Sequence, residues 1–400
     1  MKAVQYSPYD YAIHEDPYPT YARLRDEAPV YWNDELGFWA ISRHEDVFRV
    51  FRDFTRFSSA DGVTLDPAAS GKNAYRTMSF LAMDPPQHDR MRSLVSKGFT
   101  PKRVADLEPR IRELARGHIE QALNDGEFDF IADVAGKLPM DVICELVGVP
   151  SADRDELRHL SDLLVHREEG VYDIPPAGID AYFALLAYYQ GMLAERRVRR
   201  TEDLTSALLD AEIDGDQLSD EEIIGFLFLM VIAGNETTTK LLGNAWYWAW
   251  RNPDERAKAF GDPARVPDWV EETLRYDTST QMLARTVTTD VTWHDRTMHA
   301  GDRLVVLLGS ANRDERVFAE PDRFDLDRET SQSASFGSGR HFCMGAFLAR
   351  LETKVALEEM LERVVDYDID SDRAKRVHSV NVRGFASLPT VATLSSRSGR

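Results

Sequence analysis

The residues Ser335–Gly345, SFGSGRHFCMG, hold one of only two cysteines in the chain, Cys343. The run that follows, MGAFLARLETKVALEEML, carries Met344, Leu348, Leu351 and Val355 as an apolar stripe at helical spacing. Cys343 is therefore expected at a helix N-terminus, where the positive end of the dipole favours a thiolate. Gly337, Gly339 and Gly345 let backbone approach something flat and close, and Arg340 and His341 add positive charge or donors. A single thiolate held in this way suits a metal with one protein ligand, and thiolate-ligated haem iron leads. Taken alone, the cysteine also reads as a buried structural thiol beside a glycine turn. Cys144, in PMDVICELVGV, reads as a small buried hydrophobe. There is no CxxC for zinc and no CxxCH for attached haem.

A second unusual stretch is AGNETT, Ala233–Thr238, inside an apolar run. Glycine within a helix costs about 1 kcal/mol relative to alanine. A carboxylate in an apolar helix costs more unless paired. Gly234 is expected to open room beside the helix. Glu236 and Thr237 form an acid–alcohol pair suited to relaying protons; the alternative is a solvated kink, or an acid paired elsewhere. ETLR places Glu272 and Arg275 three apart on one helical face. HDRMR offers His88 and Arg92 on one turn, and LARTV offers Arg285.

The elements that must position these residues follow from periodicity. Residues 17–27 and 44–54 read as short helices flanking a hairpin at 29–42. A loose segment rich in Gly, Ser, Asp and Pro runs to about Pro86. From His88 to about Arg200 the chain reads as mostly helical, broken by a loop at EEGVYDIPPAGID. Residues 219–250 form the longest helix, opened by the capping box SDEE (Ser219–Glu222) and apolar on every side through IIGFLFLMVIAG. Strands return at 284–308, and a last strong helix spans 344–364. The fold class is mainly α (α+β), with helix dominant and small segregated sheets. No repeat or long linker divides the chain, so 1–400 reads as one domain. Its end, 394–400, is expected to be a flexible tail.

Formal net charge is -20, which argues against nucleic acid as the main partner. The basic run Arg196–Arg200 reads as a helix C-terminus complementing the dipole. No secretory signal and no membrane-spanning apolar run is seen, so a cytoplasmic protein without a membrane anchor is expected.

The spacing Phe336-x-x-Gly339-x-His341-x-Cys343-x-Gly345 resembles the haem-binding signature of the cytochrome P450 family. The oxygen-binding helix of that family has the small-Gly-x-acid-Thr pattern of Ala233–Thr237, here with Glu where many members have Asp. Together with ANRD (Ala311–Asp314) and RGFASLP (Arg383–Pro389), the resemblance covers residues 15 to 393 in order. It implies the cytochrome P450 fold, with haem b between the oxygen-binding helix and the helix after the cysteine loop. Cys343 would ligate the iron, and Ala233, Gly234, Phe336, Gly337, Gly339 and Gly345 would line the haem. His88, Arg92, Arg285 and His341 would hold its propionates, which need cationic or donor partners. Glu236 and Thr237 would deliver protons. Glu272, Arg275 and Arg323 would form a buried structural triad, the arginines flanking one carboxylate. The implied activity is that of a monooxygenase of the soluble bacterial type. It would insert one oxygen atom from O2 into a hydrophobic small molecule, typically at a C–H bond. Electrons would come from a ferredoxin or flavodoxin fed by an NAD(P)H-dependent reductase. A peroxide-driven peroxygenase and a non-catalytic haem or ligand sensor are the rivals, as is a helical protein without haem. YDTSTQ (Tyr276–Gln281) is polar where many members carry proline and apolar residues, so no particular substrate carries over. The pocket is expected to draw on 60–82, 165–185, the oxygen helix, 278–284 and 384–387.

Overall fold

The computed structural model describes residues 3–96, 99–124 and 126–395. Seven helices position the site: α1 Gln87–Ser96, α2 Leu138–Val147, α3 Arg154–Val165, α4 Pro176–Val198, α5 Asp220–Arg251, α6 Val266–Tyr276 and α7 Ala346–Arg363. Five strands make the main sheet: β1 Val30–Asn33, β2 Phe38–Ile41, β3 Phe57–Ser58, β4 Met282–Val287 and β5 Arg303–Leu307, in the order β1-β2-β5-β4-β3. The hairpin β1–β2 is antiparallel, and β5 joins β2 in parallel. Trp39 and Ile41 face one apolar cluster, while Phe38 and Ala40 face another. The period of two is therefore present, but β2 is covered on both sides.

The predicted capping box exists. Glu222 N donates to Ser219 Oγ (3.2 Å), and Ser219 N donates to Glu222 Oε2 (2.9 Å). From there α5 runs through the largest core cluster, burying Phe226, Leu227, Val231, Leu241 and Trp246. It packs against α2, α4, α6 and α7, which explains why its sequence is apolar all round.

One boundary differs from the expectation. The break before α4 ends at Pro175, and PAGID already belongs to the helix. Proline at the first helical position supplies the helical φ and loses no hydrogen bond there, so a residue that looks like a breaker is a start signal. At the other end of α4, Arg196 pairs with Asp203 (2.6 Å) and Arg200 with Asp210 (3.0 Å). The basic run is thus a helix end held by local acids. Of the expected tail, Leu394 closes the strand Pro389–Leu394, and Ser395 N donates to Arg363 O (2.7 Å). Residues 396–400 lie outside the described residues. Among the described residues, no helix is long and apolar enough to cross a membrane.

Candidate active site

A cavity of about 610 Å³ brings most of the singled-out residues together. Its lining includes Cys343, His341, Phe336, Gly337 and Gly345 from the cysteine loop. It also includes Ala233, Gly234, Glu236 and Thr237 from α5, and Arg92 and Arg285.

The loop is built to present the sulfur. Cys343 N donates to Phe336 O (3.0 Å), closing the turn. Gly339 has φ +70°, and a Cβ there would sit 2.9 Å from Phe51 O, so no other residue fits without a shift. The helix proper starts at Ala346 with Gly345 as cap, so Cys343 lies just ahead of it. Cys343 is open to the cavity, yet the walls around its sulfur desolvate it and push the thiol up from its ordinary range. The Gly345 and Ala346 amides and the Arg92 and Arg350 guanidiniums pull the other way without reversing it. Cys144, by contrast, is buried in the core with its thiol pushed up to about 12.

Beside the sulfur stands a set of buried nitrogens without partners. The His88 and His341 rings lie 4.3 Å apart between centroids. His88 Nε2, His341 Nδ1 and one Arg92 nitrogen are buried with no hydrogen-bond partner. Arg285 is buried, and burial lowers its guanidinium to about 10. Burial, then Arg285, His88 and Arg92, drive His341 down to about 2. Buried polar nitrogens without partners cost free energy until one arrives. A flat group with an iron for the sulfur and carboxylates for the Arg92 and Arg285 guanidiniums and the His341 ring fits the site, as the haem implied by the sequence would.

On α5, Thr237 Oγ1 donates to Ala233 O (2.8 Å), and both residues face the cavity. Gly234 differs from expectation: the space of its missing Cβ is met by Ile143 Cδ1 of α2 at 3.2 Å. It lets α2 close on α5 and also lines the cavity. Glu236 is buried and paired, with Lys240 Nζ 3.2 Å from Oε2 and Asn235 Nδ2 3.4 Å from Oε1. The sequence reading missed Lys240, although it lies one helical turn on. It also missed Glu352 on α7, a cavity-lining carboxyl that burial raises well above the ordinary range.

Glu272 and Arg275 form a buried two-pronged pair, both contacts 2.7 Å. The expected second arginine is corrected. Arg323 has a 56% exposed side chain and stands 3.9 Å from Glu320 and Asp325, not on Glu272. Arg328, only 10% exposed, takes its place at 3.4 Å from Glu272 Oε1. Arg323 contributes its backbone instead, its carbonyl accepting from Arg275 (3.2 Å) and Arg328 (3.1 Å).

The remaining cavity walls mix loops with the faces of α3, α4, α5 and the start of β4. Residues 63–81, the 164–182 region and Thr278, Ser279, Thr280 and Leu283 line it as expected. The 384–387 segment does not. Ser379, Asn381 and Val382, at the tip before it, take that position, while Phe385 packs on Tyr247. Asp66 and Arg167 clamp two of these loops, with contacts of 2.6 and 3.0 Å.

Asp277 turns away from the cavity into a polar hub. It accepts from Arg383 (2.7 Å), Tyr18 (2.6 Å) and Trp248 (2.8 Å). Burial alone would raise this carboxyl; Arg383 and Arg376 more than reverse that and hold it at about 2. An ordinary aspartate titrates near 4, and each unit is worth about 1.4 kcal/mol, so the hub contributes roughly 2–3 kcal/mol above pH 4. That contribution disappears as pH falls from about 4 toward 2. Asp277→Asn is expected to be less stable than the parent at pH 7, with the gap narrowing toward pH 2. Thermal melting at both ends of that range checks it; a gap that does not change with pH would refute the assignment.

The Cytochrome P450 family description matches residues 266–379, which include α6 and the cysteine loop. "Putative cytochrome P450 123" of Mycobacterium tuberculosis is 59% identical over 383 residues, covering 96% of this chain and 95% of that protein. Cytochrome P450 107B1 of Saccharopolyspora erythraea is 37% identical, covering 95% and 96%. Among solved structures, CYP109E1 from Bacillus megaterium in complex with testosterone superposes with a TM-score of 0.89 at 32% identity, covering 96% and 99%. CYP109Q5 from Chondromyces apiculatus gives 0.88 at 37%, covering 98% and 100%. Similarity of this extent, across the cysteine loop, the long helix and the sheet alike, makes the chain a member of the cytochrome P450 family of haem-thiolate monooxygenases.

Proposed function

We propose that this monooxygenase hydroxylates a bulky, mostly apolar small molecule carrying a few oxygen functions. The observation that carries the proposal is the shared cavity, which joins Cys343, Arg92, Arg285 and His341 to Thr237 and to walls of mixed polarity. Haem b is the assigned group. Cys343 ligates it, His88, Arg92, Arg285 and His341 hold its carboxylates, and Ala233, Gly234, Phe336, Gly337, Gly339 and Gly345 shape its slot. When bound, it supplies O2 activation, with the thiolate favouring O–O cleavage. The chain's own part is to place the substrate, exclude bulk water and deliver protons through Glu236 and Thr237. Phe228, Leu229, Ile179 and Val382 supply apolar wall, and Thr278, Ser279, Thr280 and Asn381 supply polar contacts. The structural neighbours crystallised with testosterone and corticosterone are consistent with such a ligand.

Electrons come from an external carrier of the ferredoxin or flavodoxin class, served by an NAD(P)H-dependent reductase in the cytoplasm. The net charge of -20 disfavours an acidic carrier except at a local patch. In and just after the cysteine loop, Phe342 and Phe347 are 44% and 67% exposed, and Arg52 donates to Ser338 of the same loop (3.3 Å). That face suits the carrier.

The test is product formed per NADPH in a reconstituted system, against product formed with hydrogen peroxide alone. Reductase-driven product supports the monooxygenase reading. Product from peroxide alone supports a peroxygenase, and no product with either supports a sensor. Thr237→Ala is expected to keep haem but divert most reducing equivalents to peroxide. Equal coupling in variant and parent would count against a role for the hydroxyl.

A further inference from the structure

The wall segment 278–281 lies between α6 and β4, beside the tip 379–382 of a short hairpin. Backbone stitches the two together. Gln281 N donates to Asn381 O (2.8 Å) and Arg383 N to Ser279 O (2.7 Å), on either side of a bridge between Thr280 and Val382. Gln281 Nε2 donates to Thr278 O (2.7 Å). The main chain here is thus held without help from the hydroxyls. Thr278 is 1% exposed and Ser279 5%, and both line the cavity. Neither hydroxyl has a hydrogen-bond partner among the described residues. Asn381 lines the cavity too, and its side-chain oxygen is buried with no partner. Buried polar groups are nearly always paired, and each one left over costs free energy. A wall that only excluded water would need no hydroxyls at these positions.

The charges around the same cavity are already matched. Asp66 and Arg167 hold each other, and the remaining Arg167 nitrogen donates to the carbonyls of Leu164 (2.9 Å) and His166 (2.7 Å). Arg76 pairs with Glu221 (2.7 Å) and Glu236 with Lys240 (3.2 Å). Arg92 and Arg285 stand at the cysteine loop, where the carboxylates of haem are assigned. Burial favours the neutral form of Glu352. Among the described residues, the lining therefore has no spare cation for a carboxylate on the substrate and no spare anion for an amine. Burying a charge without a partner costs far more than burying a hydroxyl.

We propose that Thr278, Ser279 and Asn381 form a subsite for one uncharged oxygen function of the substrate, a hydroxyl or a carbonyl. The enzyme then takes neutral oxygenated molecules in preference to free carboxylic acids. A hydroxyl side chain donates and accepts, and a carboxamide does both, so either function meets a complementary atom. A substrate fixed at this oxygen presents one region of its frame for oxidation, so the subsite also selects the carbon that reacts. The proposal rests on the reading of this cavity as the substrate pocket of a monooxygenase.

Optical titration of the holoenzyme tests it without turnover. The probes are 1-alkylimidazoles, whose ring nitrogen coordinates haem iron, with chains graded in length and ended in methyl, hydroxyl or carboxylate. At one chain length the hydroxyl probe is expected to bind about threefold to tenfold tighter than its methyl counterpart, the return from one hydrogen bond. At that length the carboxylate probe is expected to bind at least about tenfold more weakly than the methyl one. Thr278→Val combined with Ser279→Ala is expected to remove the hydroxyl's advantage over methyl, and Asn381→Leu to reduce it. Thr278→Ser, which keeps a hydroxyl, is expected to retain it. The spectral shift given by the methyl probe reports in each variant that the pocket is formed.

An advantage that is absent at every length, or that survives the double change, overturns the subsite and leaves the reading of the cavity standing. Tightest binding by the carboxylate probe overturns the preference for uncharged ligands. If no probe shifts the haem band of the parent, the reading of the cavity fails as well.

Discussion

Cys343→Ser is expected to fold and to lose the strongly red-shifted Soret band of the dithionite-reduced, carbon monoxide-bound parent. The loop places this one sulfur against the cavity, with the Gly345 and Ala346 amides directed at it. The thiolate is the metal-ligating form of cysteine, and an alcohol at the same place ionises far less readily. A serine oxygen also lacks the electron-rich push that favours O–O cleavage. Changing a residue that merely supports a metal ligand typically costs about 10–100-fold. Replacing the ligand itself is expected to exceed that in product formation. Absorption spectra of both proteins decide the matter, and a variant that kept the parent's band would remove Cys343 from the ligand position.

The second large effect is expected at Arg275. Arg275→Leu leaves Glu272 buried with the Asp325 amide at 2.9 Å and Arg328 at 3.4 Å, but without its two-pronged partner. Removing one partner of a buried pair costs about 3–5 kcal/mol, a large part of the roughly 5–15 kcal/mol that holds a typical domain together. Arg275 also donates to the carbonyls of Asn312, Pro321 and Arg323, so the segment leading to the cysteine loop loosens with it. Low yield of folded, haem-containing protein and a lowered denaturation midpoint are expected. Arg323→Ala serves as the comparison, because its side chain is exposed and surface changes usually stay within about 0.5 kcal/mol. Equal stability of the two variants would show that the buried pair does not hold this region.

The readable parts of the sequence were those whose spacing is local. The capping box, the apolar oxygen helix, the cysteine loop and the Glu272–Arg275 turn each fit within a few residues, where chain geometry fixes the contact. Arg323 and Arg328 show the limit. Both lie in EPDRFDLDR, and which side chain turns inward depends on how the backbone crosses α6. The tip at 379–382 was likewise displaced from 384–387, because the pairing of a short hairpin decides which residues reach the cavity. Pro175-Pro176 was read as a break because the same residue type both ends loops and begins helices.

The segments around the cavity divide by secondary structure. The sulfur, the acid–alcohol pair and the buried ion pairs are fixed by α5, α6 and the residues that open α7. The rest of the cavity wall adds loops and tips to the faces of α4 and α5: parts of 63–81, the residues between α3 and α4, 278–281 and 379–382. Loop residues tolerate exchange because few core contacts depend on them. Lineages that inherit this scaffold can therefore acquire new diets by rewriting about a tenth of the chain's letters, while the oxygen chemistry is passed down untouched.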